Sequence, residues 1–117
     1  MSYKTLKVYQ KAHTFGIECH RLSLMMPKYE LYETGSQLRR ASKSVSANIV
    51  EGYGRKRYPA DYLKFLVYAL ASNDESREWL EYVQSGYHEL QNDVRVLLPL
   101  NDEVGRMLNR LIQSLEP

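Results

Sequence analysis

Residues 36–57, SQLRRASKSVSANIVEGYGRKR, carry two helical patterns side by side. Positions suited to burial recur every three or four residues, as on the inward stripe of an amphipathic helix. They are Leu38, Ser42, Val45, Ile49 and Gly52. The pattern predicts a helix from residue 35 or 36 to residue 51 or 52. Gly52 and Gly54 are then expected to end it, in the left-handed conformation that glycine adopts at low cost.

A second row of the same helix is polar throughout. It contains Gln37, Arg40, Ser44, Asn48, Glu51 and Arg55. Both rows fit on one helix only if the polar row faces water, a cavity or another polar helix. Asn48 and Glu51 are open to two interpretations. They form an i, i+3 polar pair at a helix end, or they specify helix register or a subunit contact, as a buried polar residue can.

The order QLRRA, a serine, ANI and EGYGR, with YQKA near the N-terminus and Pro27 and Glu30 between, resembles a known family. These are the four-helix bundle proteins named after intervening sequences in bacterial 23S ribosomal RNA genes, which share a fold with the accessory subunit of diversity-generating retroelements. Further on, Phe65, Leu66, Ala69, Ser72 and Glu75 look like the third-helix motif of that family. The resemblance implies a pentameric bundle with a nucleic-acid role and no established enzymatic activity.

Length and composition indicate one folded domain over residues 1–117, because 44% hydrophobic and 26% charged residues are globular values. No apolar run is long enough for a membrane span, and the first residues lack the apolar block of a signal peptide. A lone Cys19 fits a reducing cytoplasm. We therefore expect a cytoplasmic protein with no membrane contact.

The other helices are expected at residues 4–25, 59–86 and 92–114. Their predicted inward positions are Val8, Ala12, Phe15, Cys19, Leu22 and Met26 in the first, and Tyr62, Phe65 or Leu66, Ala69, Ser72 or Asn73, Ser76, Leu80, Val83 and Tyr87 in the third. In the fourth they are Val94, Leu97, Asn101, Val104, Leu108, Leu111 and Leu115. The rhythm continues across Pro99, which favours one kinked helix, and a short helix ending at Leu98 followed by a second helix stays open as the alternative. Four such segments with short connections predict an all-α, up-down-up-down antiparallel four-helix bundle.

Sites for catalysis, metals and cofactors are not indicated by the sequence. A di-iron bundle needs Glu-x-x-His on two helices, and that spacing does not occur. The glycines of EGYGR lack the spacing and the Lys-Ser/Thr pair of a phosphate loop. Cys19 lies in an inward row, so we interpret it as a small buried hydrophobe. We expect no enzyme, no cofactor and no metal site.

Basic residues concentrate in one part of the chain. Residues 39–64 contain seven basic and two acidic residues, a net charge of +5, whereas the remainder has nine basic and twelve acidic residues, a net charge of −3. The candidate nucleic-acid-binding residues are Arg39, Arg40, Lys43, Arg55, Lys56 and Arg57, with Tyr53 and Tyr58 interleaved. The alternative is that the arginines pair with Glu75, Glu78 or Glu81. Arg40, on the polar row, is expected to be structural, and Arg39 exposed.

Two functions are consistent with this pattern. The first is a non-enzymatic oligomer that binds RNA or another nucleic acid through the six candidate basic residues of the second helix and the following loop, which we call the basic ridge. The second is a protein–protein adaptor whose oligomer docks a partner protein. The oligomer itself is expected because the polar row, represented by Gln37, Ser44, Asn48 and Glu51, and the polar centre of the third helix, residues 72–76, need partners when buried. The number five comes from the resemblance alone.

Overall fold

Four α-helices account for most of the chain in the computed structural model, which describes residues 2–117. They are α1 (Lys7–Ser23), α2 (Thr34–Tyr53), α3 (Pro59–Gly86) and α4 (Gln91–Leu115). Short 3₁₀ turns at Tyr3–Thr5, Lys28–Tyr32 and His88–Leu90 precede α1, α2 and α4. No β-strand occurs in residues 2–117. The predicted all-α, four-helix architecture is confirmed.

The helices pack as a square in chain order. α2 contacts α1 and α3, while α4 contacts α3 and returns to α1. The connections are short, as expected for antiparallel neighbours in an up-down-up-down bundle. The bundle measures 45 × 23 × 21 Å. At 1.5 Å per residue, the 28 residues of α3 extend about 42 Å, so this helix runs nearly the full length of the molecule.

Helix boundaries follow local sequence signals. α3 begins at Pro59, where the missing N–H costs nothing, and ends at Gly86 as predicted. α4 is one helix that continues through Pro99, which answers the question that the sequence left open. α1 is shorter than predicted because residues 3–5 form a separate turn, in which Ser2 Oγ accepts a hydrogen bond from the Lys4 amide.

The apolar core has two clusters along the bundle axis. One contains Val8, Ala12, Val45, Ile49, Tyr62, Leu66, Ala69, Val104, Leu108 and Ile112. The other contains Phe15, Cys19, Leu22, Met26, Leu38, Leu80, Val83, Leu90, Val94 and Leu97. Every predicted inward residue of α1 and α2 is buried. At the end of α4 the prediction was wrong. Ile112 is buried there and Leu111 and Leu115 are only half-buried, because a stripe at 3.6 residues per turn drifts away from a strict 3, 4 rhythm.

A polar pair of asparagines links α3 to α4. Asn73 Nδ2 donates to the Asn101 carbonyl at 2.9 Å, and Asn101 Nδ2 donates to the Asn73 carbonyl at 2.9 Å. Arg77 donates to Asn101 Oδ1 at 3.2 Å. Ser72 reaches α2 instead, donating to Ser44 Oγ at 3.1 Å. The polar centre of α3 therefore meets the small polar face of α2 through Ser72 and contacts α4 through Asn73.

Neither glycine at the end of α2 is left-handed, which corrects the prediction. Gly54 has φ −63°, and no residue in the described chain has a positive φ. Gly52 serves for close packing instead. A Cβ at this position would lie 3.0 Å from Phe65 Cβ and 3.2 Å from Tyr62 Cδ1. The absence of a side chain at Gly52 lets α3 approach the last turn of α2.

Candidate nucleic-acid interface

The predicted basic ridge is two separate groups at opposite ends of α2. Arg39 and Arg40 lie near the Thr34 end with Lys43 one turn further along, and Arg55, Lys56 and Arg57 follow the Tyr53 end. At 1.5 Å per residue, Arg40 and Arg55 are about 22 Å apart along the helix axis.

Arg39 is a structural residue, contrary to the prediction. Its Nη1 donates to Ser23 Oγ at 3.0 Å, and its Nη2 donates to the Leu31 carbonyl at 2.5 Å. Arg40 is exposed and makes no hydrogen bond or ion pair within residues 2–117, so neither arginine pairs with the acidic residues of α3 inside one chain. The roles are reversed because the α1–α2 connection folds over the Arg39 side of the helix and supplies a carbonyl there. Periodicity within α2 carries no information on where that connection runs.

The α1–α2 connection, which accepts a hydrogen bond from Arg39, is hydrogen-bonded in turn to Tyr87 at the α3–α4 turn. Tyr87 donates to Glu30 Oε2 at 2.5 Å, and the Tyr29 and Tyr87 hydroxyl oxygens lie 3.1 Å apart. The hydrogen bond to Glu30, followed by that to Tyr29, raises the pKa of Tyr87 above its ordinary value. A Cβ at Gly35 would lie 2.6 Å from the Glu30 carbonyl oxygen, so glycine is required for this close approach. The Thr34 end is therefore built from mutually bonded polar groups.

Lys43 lies on the rim of a groove between α1 and α2. The groove has a volume of about 430 Å³. It is lined by His13, Gly16, Ile17, His20, Arg21, Lys43 and Ser46. His20 Nδ1 is buried and has no hydrogen-bond partner within residues 2–117. Burial, then the charges of Lys43 and Arg39, lowers the pKa of His20 from its ordinary value. This surface is basic but contains no exposed row of arginines.

The Tyr53 end places cations against aromatic rings. Arg55 Cζ lies 4.6 Å from the centre of the Phe65 ring, and Arg55 Nη1 pairs with Glu51 Oε2 at 2.5 Å. Lys56 Nζ donates to the Tyr53 hydroxyl at 2.8 Å and lies 4.0 Å from that ring's centre. Arg57 is exposed and makes no ion pair or hydrogen bond within residues 2–117. An exposed pair such as Arg55–Glu51 holds its partners by roughly 0–1 kcal/mol, so the cation remains available to a stronger anion.

Exposed tyrosines extend this surface along the start of α3. Tyr58 and Tyr68 are 62% and 48% exposed, and the Tyr68 ring meets Phe65 edge to face at 5.5 Å. Lys64 Nζ lies 5.5 Å from the centre of the same Phe65 ring. We call this surface, Tyr53, Arg55, Lys56, Arg57, Tyr58, Lys64, Phe65 and Tyr68, the α2–α3 corner. Its cations can bind phosphates and its tyrosines can stack on bases.

The polar row of α2 is partly satisfied within the chain. Asn48 Nδ2 donates to the Ser44 carbonyl at 2.8 Å and to Ser44 Oγ at 2.9 Å. Glu51 pairs with Arg55, so the i, i+3 pair considered for Asn48 and Glu51 does not form. Gln37, Arg40 and Glu51 are exposed, while Ser44 and Asn48 are half-buried. This row therefore presents a mixed polar surface beside the α2–α3 packing contact.

Cys19 is fully buried, and burial raises the pKa of its thiol to about 12, so the thiol stays protonated at neutral pH. Across residues 2–117, no three His, Cys, Asp or Glu side chains converge in a way that could hold a metal ion. None of the helices in that range combines the length and the apolar character required to cross a bilayer.

Comparison with known proteins places this geometry in context. Residues 4–110 match the family described as 23S rRNA-intervening sequence protein. A solved structure from Bacteroides thetaiotaomicron VPI-5482, described as a protein of unknown function from the S23 ribosomal protein family, superposes with a TM-score of 0.81. The two share 21% identity, over 91% of this chain and 95% of that one, which supports the fold alone. A search of curated proteins finds no match.

Proposed function

The chain belongs to the 23S rRNA-intervening sequence protein family, and we propose that it is a non-enzymatic, oligomeric RNA-binding protein that contacts RNA through the α2–α3 corner. The observation that carries the proposal is the alternation of cations and rings at that corner. Arg55 and Lys56 lie 4.6 Å and 4.0 Å from ring centres, and Arg57 is exposed beside them. Cytoplasmic location is part of the same proposal, since the single cysteine has no partner for an intrachain disulfide.

The corner favours single-stranded or looped RNA over a regular duplex. Tyrosines can stack only on bases that are already unpaired or splayed out, whereas arginine and lysine contact the backbone of any strand. Tyr58 and Tyr68 are both exposed next to the cations. A loop or bulge flanked by helical RNA would satisfy both kinds of contact.

Assembly into a homo-oligomer, with five subunits as the family resemblance implies, is the second part of the proposal. Internal bonds of Ser72, Asn73 and Ser44 satisfy groups that were expected to need a neighbouring subunit, so they no longer support it. Support comes instead from α3, which leaves Val67 and Tyr82 46% and 59% exposed on its outer side. Light scattering should give about 68 kDa for five chains of 13.7 kDa.

RNA binding is tested by reversing the charge of three cations at the α2–α3 corner. In the variant Arg55→Glu/Lys56→Glu/Arg57→Glu, the slope of log affinity against log salt should fall by roughly 2 to 3, since each phosphate contact contributes about 0.7 to 0.9. The matched control is Lys28→Glu/Arg95→Glu/Arg106→Glu, which makes the same charge change at exposed cations of the α1–α2 connection and of α4. Wild-type protein that fails to bind a looped RNA at about 50 mM salt would overturn the proposal. Equal losses in both variants would show that only overall charge matters.

A protein–protein adaptor is the alternative, and one surface favours it. Between α1 and α4, Leu24, Met25 and Val96 are 59%, 53% and 74% exposed and lie close to a shallow groove. Such a patch suits an apolar partner. An adaptor should co-purify with a protein that is lost on Val96→Asp, and it should show little salt-dependent binding to RNA.

A further inference from the structure

Two surfaces of the chain are complementary in charge. The first is the α1–α2 groove, whose lining includes Lys43, Arg21 and two histidines but no acidic residue. Ile17 contributes an apolar floor and is 41% exposed. Lys43 makes no ion pair within residues 2–117, and Arg21 pairs only with Glu18 on its own helix, at 2.6 Å. The groove thus presents cations around a partly apolar depression.

The second surface lies near the end of α3, where Glu78, Glu81, Tyr82 and Ser85 surround a shallow hollow. We call three of its exposed side chains, Glu78, Glu81 and Tyr82, the knob. It contains two carboxylates and no cation. Tyr82 is 59% exposed and is supported by Trp79, whose ring centre lies 5.7 Å from its own. Glu81 has one distant partner, Arg77 at 3.5 Å, while Glu78 forms no ion pair within the described chain. The knob thus presents an aromatic ring flanked by negative charge.

We propose that the knob of one copy of this chain seats in the α1–α2 groove of a second copy, an inference that rests on the proposed homo-oligomer. Tyr82 then covers Ile17, and Glu78 and Glu81 face Lys43 and Arg21. Opposite potentials of this kind fix which surfaces meet and in which register. The contact also removes from water one of the exposed aromatic rings of α3.

The contact is heterologous. The groove lies between α1 and α2, whereas Glu78 and Tyr82 lie on the side of α3 opposite its buried residues Leu80 and Val83. Each copy therefore uses its groove toward one neighbour and its knob toward another. Such head-to-tail contacts close into rings when the rotation permits, so an odd number of subunits is as natural as an even one.

A charge swap tests the pairing. Lys43→Glu and Glu78→Lys should each raise the protein concentration at half-assembly at least tenfold in sedimentation experiments. The double variant Lys43→Glu/Glu78→Lys should recover most of the loss. Additive losses without recovery would show that the two residues do not meet, and circular dichroism would check that each variant stays helical.

Mixing two blocked chains tests the head-to-tail arrangement. Ile17→Glu places a carboxylate in the groove, and Tyr82→Glu removes the aromatic ring of the knob. Each variant alone should be monomeric. Their mixture should form a two-chain species of about 27 kDa, because one groove and one knob remain intact. Val96→Glu, at a more exposed apolar residue on α4, is the matched control and should assemble like the wild type.

The remaining outcomes separate this inference from the oligomer itself. A monomeric wild type at micromolar concentration overturns both. A wild-type oligomer that none of these variants disturbs overturns only the groove-and-knob contact. Lys43→Glu that weakens RNA binding but leaves assembly unchanged would assign the groove to RNA and would also overturn the contact.

Discussion

The two ends of α2 carry similar basic sequences and use them differently. At the Thr34 end, the Arg39 guanidinium is half-buried and donates to Ser23 and to a loop carbonyl. At the Tyr53 end, Arg55 and Lys56 lie over aromatic rings, and Arg57 makes no hydrogen bond or ion pair within residues 2–117. A guanidinium that is hydrogen-bonded to a backbone carbonyl stabilises the fold. A cation that lies on a ring and makes only an exposed ion pair or a hydrogen bond to a hydroxyl keeps further N–H donors for a ligand.

The role of each arginine depends on the path of the connecting segment beside it. The connection before α2 spans residues 24–33 and folds back far enough to bond Arg39. The one after α2 is the short turn Gly54–Tyr58, whose backbone hydrogen bonds reach only the adjoining ends of α2 and α3. The first end is therefore expected to respond to mutation in stability, and the second in binding.

The largest expected effect is at Arg39. Arg39→Ala removes two charge-assisted hydrogen bonds and leaves the Leu31 carbonyl without its partner, so the free energy of unfolding should fall by about 2–3 kcal/mol. Arg40→Ala, one residue away and exposed, should change it by less than about 0.5 kcal/mol. Urea denaturation of both variants measures the difference. Equal effects would contradict the assignment of Arg39 to structure.

The second-largest expected effect is the loss of stability on substituting a glycine at the Tyr53 end. Gly52→Ala forces a Cβ to 3.0 Å from Phe65, and should destabilise the fold by about 1–2 kcal/mol through overpacking. Gly54→Ala is the matched control, because its Cβ would come no closer than 3.5 Å and its φ of −63° suits alanine. The control should be neutral or slightly stabilising. Thermal unfolding that ranks the two in the opposite order would show that α2 and α3 can move apart there.

Sequence periodicity predicted most of the fold for a physical reason. Apolar stripes fixed by helix geometry appear within each segment, so α1 and α2 could be assigned inward residues without knowing their neighbours. Pro59 and Gly86 bound α3, and the unbroken stripe across Pro99 favoured one continuous α4. All of these are properties of a helix considered by itself.

What could not be predicted depends on which helices meet. The pairing of Asn73 with Asn101 joins residues 28 apart, and either could have faced α2. The bond from Arg39 to Leu31 depends on the path of a connection that has no periodic pattern. The exposed cations at the corner were identified from their composition and position after a helix end. Their function in RNA binding stays a prediction.

A smaller effect is expected from a single cation at the corner. Arg57→Ala removes no contact within the described chain, so the free energy of unfolding should stay within about 0.5 kcal/mol of the wild type. If Arg57 contacts one phosphate, the log–log salt slope should fall by about 0.7 to 0.9. Fluorescence anisotropy with a looped RNA, measured over a salt series, reads this directly. Arg39→Ala, compared at a temperature where both variants are folded, should keep the wild-type slope.

The smallest effect concerns His20, whose environment includes Arg39 and Lys43 at the Thr34 end. Burial and these two charges lower the pKa of His20 in the folded chain below its ordinary value of 6.5. The unfolded chain therefore binds this proton more readily, and the stability that neutral His20 contributes is present above about pH 6.5 and lost as the pH falls through the folded-state pKa. His20→Gln should accordingly flatten part of the decline in stability between about pH 7.5 and pH 5. His88→Gln, which removes an exposed histidine on the α3–α4 turn, should retain the wild-type decline. Should both variants decline like the wild type, the charges of Arg39 and Lys43 do not reach His20, and the Thr34 end is less tightly coupled to α1 than its hydrogen bonds indicate.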